Sequence, residues 1–111
     1  MKTTNYIQFE ADALETAQGA GIISTIDRDI DITVVPFKSD NPKAPTHRVF
    51  AKSPRGYDID SGAIWKRTSE TTGRDYLALS IPRLGYNANL GKFAGQDDES
   101  LQAVIEWEAR K

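Results

Sequence analysis

The chain has 111 residues, enough for one domain with a single core and too few for two. Hydrophobic residues at 39% and charged residues at 27% fit a folded, soluble domain and exclude wholesale disorder. The lack of cysteine excludes disulfides, thiolate metal sites and cysteine nucleophiles, and suits a reducing cytoplasm.

The net charge of −2 is unevenly spread. Residues 1–37 carry six acids against Lys2 and Arg28, and residues 93–111 carry five acids against Arg110 and Lys111. Residues 38–92 carry ten bases against five acids. A basic middle between acidic ends either faces an anionic partner or is neutralised by the ends folding back on it.

In chain order, the opening MKTTNYIQFEADALE lacks the apolar centre of a signal peptide, and no apolar run is long enough for a membrane helix. A cytoplasmic protein without membrane association is expected. Tyr6–Ala11 reads as a strand, and Ala13–Gly21 holds at most one helical turn before Gly19 and Gly21 stop it. A second strand follows at Ile22–Ile26. In DIDITV, Ile30, Ile32 and Val34 alternate with Asp29, Asp31 and Thr33, a strand with one buried face.

Lys38–Thr46 is a proline-bearing polar loop, followed by short strands at Arg48–Lys52 and Tyr57–Ile59. Gly62–Ser69 and Tyr76–Ile81 form a hairpin, and Tyr86–Leu90 is a further strand. In the last segment, 101–109, Leu101, Ala103, Ile105 and Trp107 alternate with Gln102, Val104, Glu106 and Glu108, so a strand is expected despite helix-friendly composition. About seven short strands without long helices predict a single all-β domain, an antiparallel barrel or sandwich.

For the hairpin, placing Ala63 and Trp65 on the core face with Leu77 and Leu79 gives a register. Trp65 then stands opposite Leu77, Ala63 opposite Leu79, Arg67 opposite Asp75 and Lys66 opposite Tyr76, around a loop of Glu70, Thr71 and Thr72. Trp65, Arg67, Asp75, Leu77 and Leu79 are therefore expected to be structural, with Arg67 and Asp75 as an ion pair.

RVFA at Arg48–Ala51, GAIWKRTS at Gly62–Ser69 and GRDYLALSI at Gly73–Ile81 resemble the signature of a bacterial family, domain-of-unknown-function family 736. The family's usual wording is RVFA, GAAWKKTS and GRDYLSVKLDDPSF. The likeness covers residues 20–92 and takes in the final strand. Where the family carries an aspartate pair and PSF, this chain has Pro82-Arg83-Leu84-Gly85-Tyr86. The resemblance implies a small β domain carried on plasmids and conjugative elements, and it supplies no catalytic residues.

His47, the one histidine, ends the proline-rich loop, where a solvent-facing side chain is expected. Asp27, Asp29 and Asp31 at period two could face a cation, but a regular strand predicts a solvated face. Gly19-Ala20-Gly21 is not a phosphate loop, and no serine has a base nearby in sequence. No enzyme activity, metal or cofactor is expected.

A basic and aromatic set remains: Lys52, Arg55, Lys66, Arg74, Tyr76 and Arg83. It predicts a macromolecular partner, a protein in preference to a nucleic acid because the chain is acidic overall. The expected function is a non-enzymatic binding protein of a mobile element. It would act through the exposed face of the Gly62–Pro82 hairpin to antagonise or recruit host machinery, in part by presenting carboxylates in place of phosphates. Single-stranded nucleic-acid binding by one continuous groove is the alternative, and a structural homodimer the second.

Overall fold

The computed structural model describes residues 5–41, 43–91, 95 and 97–106. Eight strands follow one another: β1 (Tyr6–Phe9), β2 (Gly19–Ser24), β3 (Asp29–Pro36), β4 (His47–Lys52), β5 (Asp58–Thr68), β6 (Asp75–Ile81), β7 (Tyr86–Gly91) and β8 (Leu101–Glu106). Each pairs antiparallel with the next, and β1 pairs with β8, closing an up-and-down barrel. The expected all-β antiparallel fold forms, and it is the barrel. The expected helical turn is a 3₁₀ turn at Leu14–Thr16, and a second at Pro82–Leu84 links β6 to β7. Residues 107–109, expected to continue the last strand with Trp107, lie outside the described residues.

Because every connection is a hairpin, the loops alternate between two ends. The 10–18, 37–46 and 69–74 loops and the β7–β8 connection lie at an upper end. The 25–28, 53–57 and 82–85 turns lie at the lower end, where β1 starts and β8 finishes.

The interior is aliphatic. Ile7, Phe9, Ile23, Ile32, Val34, Val49, Ile64, Leu79 and Ile81 are almost wholly buried in one cluster. Burying each such side chain contributes about 1.5–3 kcal/mol against the entropy of ordering the chain.

The hairpin register differs from the expected one by a single residue. Ile64 stands opposite Leu79, Trp65 opposite Ala78, Lys66 opposite Leu77, Arg67 opposite Tyr76 and Thr68 opposite Asp75. One step in register exchanges the two faces of a strand. Ile64 therefore enters the core, while Trp65 and Arg67 turn outward and Tyr76 faces outward as expected. Leu79 is core as expected, and Leu77 packs against its margin. The turn decides the matter. The Ser69 N–H donates to the Arg74 carbonyl at 2.8 Å, the Gly73 N–H to the Ser69 carbonyl at 2.8 Å, and Gly73 has φ +72°. The loop thus holds four residues, Glu70 to Gly73, rather than three.

Strand β8 departs from expectation in the same way. Gln102 stands opposite core Ile7, and Val104 opposite Leu90. Leu101, Ala103 and Ile105, expected to be the core face, consequently point outward. The neighbour settles this: in YNANLG the polar Asn87 and Asn89 must face out, which fixes what β8 presents inward.

A bulge at Ser61 explains why Tyr57–Ile59 is not a separate strand. Val49 pairs with Gly62 but Phe50 with Asp60, leaving Ser61 as the extra residue. Above it even-numbered residues of β5 face inward, and below it odd-numbered ones do, so Ile64 is buried in the core while Ile59, on the inward side of the lower rim, stays exposed. Gly62 makes the bend feasible. A Cβ there would overlap the Ser80 carbonyl oxygen, and one at Gly21 would overlap that of Tyr6.

Gly62→Ala is expected to cost ~3 kcal/mol or more, because the obstacle is backbone and cannot yield. Thermal unfolding followed by circular dichroism measures it. Gly56→Ala, where a Cβ meets nothing and only the left-handed φ of +86° is strained, should cost about 1 kcal/mol.

Candidate functional site

The six predicted binding residues divide between the two ends. Lys66, Arg74 and Tyr76 lie toward the upper end, and Lys52, Arg55 and Arg83 toward the lower. They form no continuous groove. Two of the cations are also neutralised. Lys52 Nζ is 2.6 Å from the Asp58 carboxylate, opposite it on β5, and Lys66 Nζ lies 3.4 Å from Glu15 and 3.5 Å from Asp75. Asp75 thus pairs with Lys66, and takes the Thr68 hydroxyl at 2.7 Å, instead of pairing with Arg67. The one-residue register change is the cause. It sets Asp75 beside Thr68 and places Lys66 with Leu77 on the inward-facing side of the upper rim, where it was expected to point away from the core.

Glu15 reaches Lys66 from the 10–18 loop, so the acidic N-terminal part does fold back on the basic middle. Glu15 first and Asp75 second hold the Lys66 ammonium above its usual pKa. The Thr68 hydroxyl first, and Lys66 after it, hold the Asp75 carboxyl below its usual range. Arg48 pairs with Asp60 and Arg28 with Asp27. Five acids, Glu15, Asp27, Asp58, Asp60 and Asp75, are thus held beside cations.

His47 is buried, not solvent-facing. The alternation that puts Val49 and Ala51 inward extends back by one step to residue 47, a signal present in the sequence. Its Nε2–H donates to the Ala17 carbonyl at 2.8 Å, and Phe9 meets the ring edge-on at 5.5 Å. A carbonyl only accepts, so Nε2 carries the proton and Nδ1 accepts from the Thr46 hydroxyl at 2.8 Å. The histidine thereby pins the 10–18 loop across the upper mouth, with Ala17 buried beneath it. Among the described residues no group of three or more His, Cys, Asp or Glu is arranged to hold a metal. No helix there is long and apolar enough to cross a membrane.

What the arrangement does bring together is an outer face. Trp65 and Arg67 on β5 lie beside Ala78 and Tyr76 on β6, and the same row continues through Asn89 on β7 to Ile105 on β8. Trp65 and Tyr76 are half-buried, while their outward neighbours Ala63 and Ala78 are buried. The small outward residues Ala63 and Ala78 leave room beside these partly covered rings. Ile105 is 54% exposed, with its Cδ1 directed at Gly91.

A model of the family described as "Protein of unknown function (DUF736)" matches residues 8–110. The chain belongs to the DUF736 family. The match extends on both sides of the blocks that carry the resemblance, from β1 through the whole of β8. No curated protein and no solved structure gives a significant match. In this DUF736 member the family's tryptophan block supplies Trp65 and Arg67 to the outer face, and its GRDYL block supplies Tyr76.

Burial holds His47 below its ordinary pKa of 6.5, against the opposing pull of the Ala17 carbonyl and of Glu15. The folded state therefore binds this proton less readily than the unfolded chain. The resulting stability is complete above about pH 6.5 and is lost as pH falls from there through the lower folded value. Urea denaturation at pH 7.5 and 5.5 should show the wild type weaker at 5.5, and His47→Gln weaker at 7.5 but flatter between the two.

Proposed function

We propose that this DUF736 member is a non-enzymatic binding protein that engages a protein partner through the outer face of β5 and β6, extended across β7 to Ile105. The observation that carries the reading is the register. It sets Trp65, Arg67 and Tyr76 together on the outside of two adjacent strands. Tryptophan, arginine and tyrosine are the side chains on which interface energy most often concentrates. The Trp65 and Tyr76 side chains are already partly covered, so less freedom remains for them to lose on association.

In the cytoplasmic, mobile-element setting that the family resemblance implies, the partner would be a host complex that the protein antagonises or recruits. Nucleic acid fits less well, since the basic residues are split between two ends and Lys52 and Lys66 already have carboxylate partners.

Affinity capture from host extract, followed by titration of the recovered partner, tests the reading. Tyr76→Ala and Arg67→Ala are each expected to weaken binding about 30-fold, as for interface hot spots, without altering the circular dichroism spectrum. Lys66→Glu and Arg74→Glu should leave it unchanged. Salt-sensitive binding of single-stranded DNA that is lost in the latter two variants would overturn the proposal.

A further inference from the structure

The lower end of the barrel is left open. Among the described residues, four of the seven most exposed large apolar side chains gather at or near it: Ile26, Tyr57, Ile59 and Leu84. A cavity of about 730 Å³ opens there over Ile30, Ala51, Ile59, Ile81 and Leu84. Eight-stranded barrels have room for side chains or one small ligand, and ligand sites favour barrel mouths of this size. Here the aliphatic core fills the middle, so a ligand would reach the mouth alone.

Arg28, Lys52 and Arg83 stand on the rim. Arg28 is committed to Asp27 and Lys52 to Asp58, but Arg83 forms no ion pair among the described residues. Three acids also line the cavity: Asp27, further held by the Thr25 hydroxyl, Asp29, held by that of Ser24, and Asp31, which like Glu106 opposes an anion.

A second observation is independent of the cavity. Tyr86 stands opposite Ile81 and lines the adjoining recess, which Arg83 and Leu84 also line. It is 6% exposed, and its hydroxyl is the one buried side-chain polar atom without a partner among the described residues. An unpaired buried hydroxyl costs free energy and calls for explanation. Burial, and secondarily the charge of Glu106, raise its pKa, so the group stays an O–H and serves as a donor.

We infer that the lower mouth binds a small amphipathic anion, its hydrocarbon or aromatic body over Ile59, Ile81 and Leu84 and its carboxylate or similar head drawn to Arg83 and the Tyr86 hydroxyl. Arg83 and Tyr86 line one recess, three residues apart on the Pro82–Tyr86 segment, the segment in which the chain differs from the family's usual wording. Glu106 opposes the anion and limits affinity. The site lies apart from Trp65, Arg67 and Tyr76, so the inference stands or falls separately from the protein-partner reading.

Titration with octanoate, followed by amide NMR shifts, provides the test. Saturable binding is expected, with shifts confined to the lower strands and turns. Arg83→Gln should weaken it about tenfold, the loss of one charge-assisted hydrogen bond. Glu106→Gln should tighten it. Tyr86→Phe is the decisive variant: it should weaken octanoate binding several-fold while the free protein keeps or raises its Tm, because a buried unpaired hydroxyl is removed. No saturable shift with octanoate, equal binding of octylammonium, undiminished binding by both Arg83→Gln and Tyr86→Phe, or capture by anionic phospholipid vesicles alone would each overturn the inference.

Discussion

The closing seam between β1 and β8 is the contact on which the rest of this barrel depends. Among the described residues three pairs make it: Tyr6 with Ala103, Ile7 with Gln102 and Gln8 with Leu101. Asn5 reinforces it from a left-handed conformation, φ 61°, that few side chains tolerate. Its side-chain carbonyl accepts the Ser24 N–H at 2.6 Å and its main-chain carbonyl the Val104 N–H at 2.7 Å, tying β2 and β8 to the start of β1. Without the seam, two edges would stand open to other chains. With it, each strand has two neighbours that fix which side chains face in, and so which residues are left for function. Pairing across nearly the full chain also puts late, non-local contacts in the path of folding, which slows it.

The two ends of the barrel are built to different ends. At the top, His47 holds Ala17, Glu15 meets Lys66, and the 10–18 loop lies over the core. At the bottom the turns are short, and Ile59 and Leu84 remain uncovered. The bulge at Ser61 links these arrangements. By resetting the alternation of β5 it lets one strand send Ile64 into the sealed half and Ile59 into the open half, while Trp65 and Arg67 stay outside.

Much of this was legible in the residues. The alternation in DIDITV, the breaks at proline and glycine, and the lack of helical spacing were enough for the fold class and nearly every strand. The family blocks were legible too. What failed was parity. In GAIWKRTS both Ala63–Trp65 and Ile64 offer apolar faces, and in LQAVIEWE both Ala103–Ile105 and Val104 do, so hydrophobicity alone cannot choose between them. The choice is made by neighbours: the φ of Gly73 sets the hairpin loop to an even length, and Asn87 and Asn89 dictate the face of β8. Gly73 after Glu70-Thr71-Thr72 was the available signal for the first. The orphaned Tyr86 hydroxyl had none, since whether a buried group finds a partner depends on atoms brought together from four turns and strands.

Because β1 begins and β8 ends on the lower rim, in neighbouring positions of the sheet, the chain is close to a ring already. A short linker could join these strands and the circle be cut instead at Glu70–Gly73, an exposed loop at the opposite end. Such a permuted chain would keep every strand pairing but one hairpin connection. By the same geometry, the start of β1 and the end of β8 both stand beside the open mouth, while the sealed end and the upper hairpin loop lie at the other end.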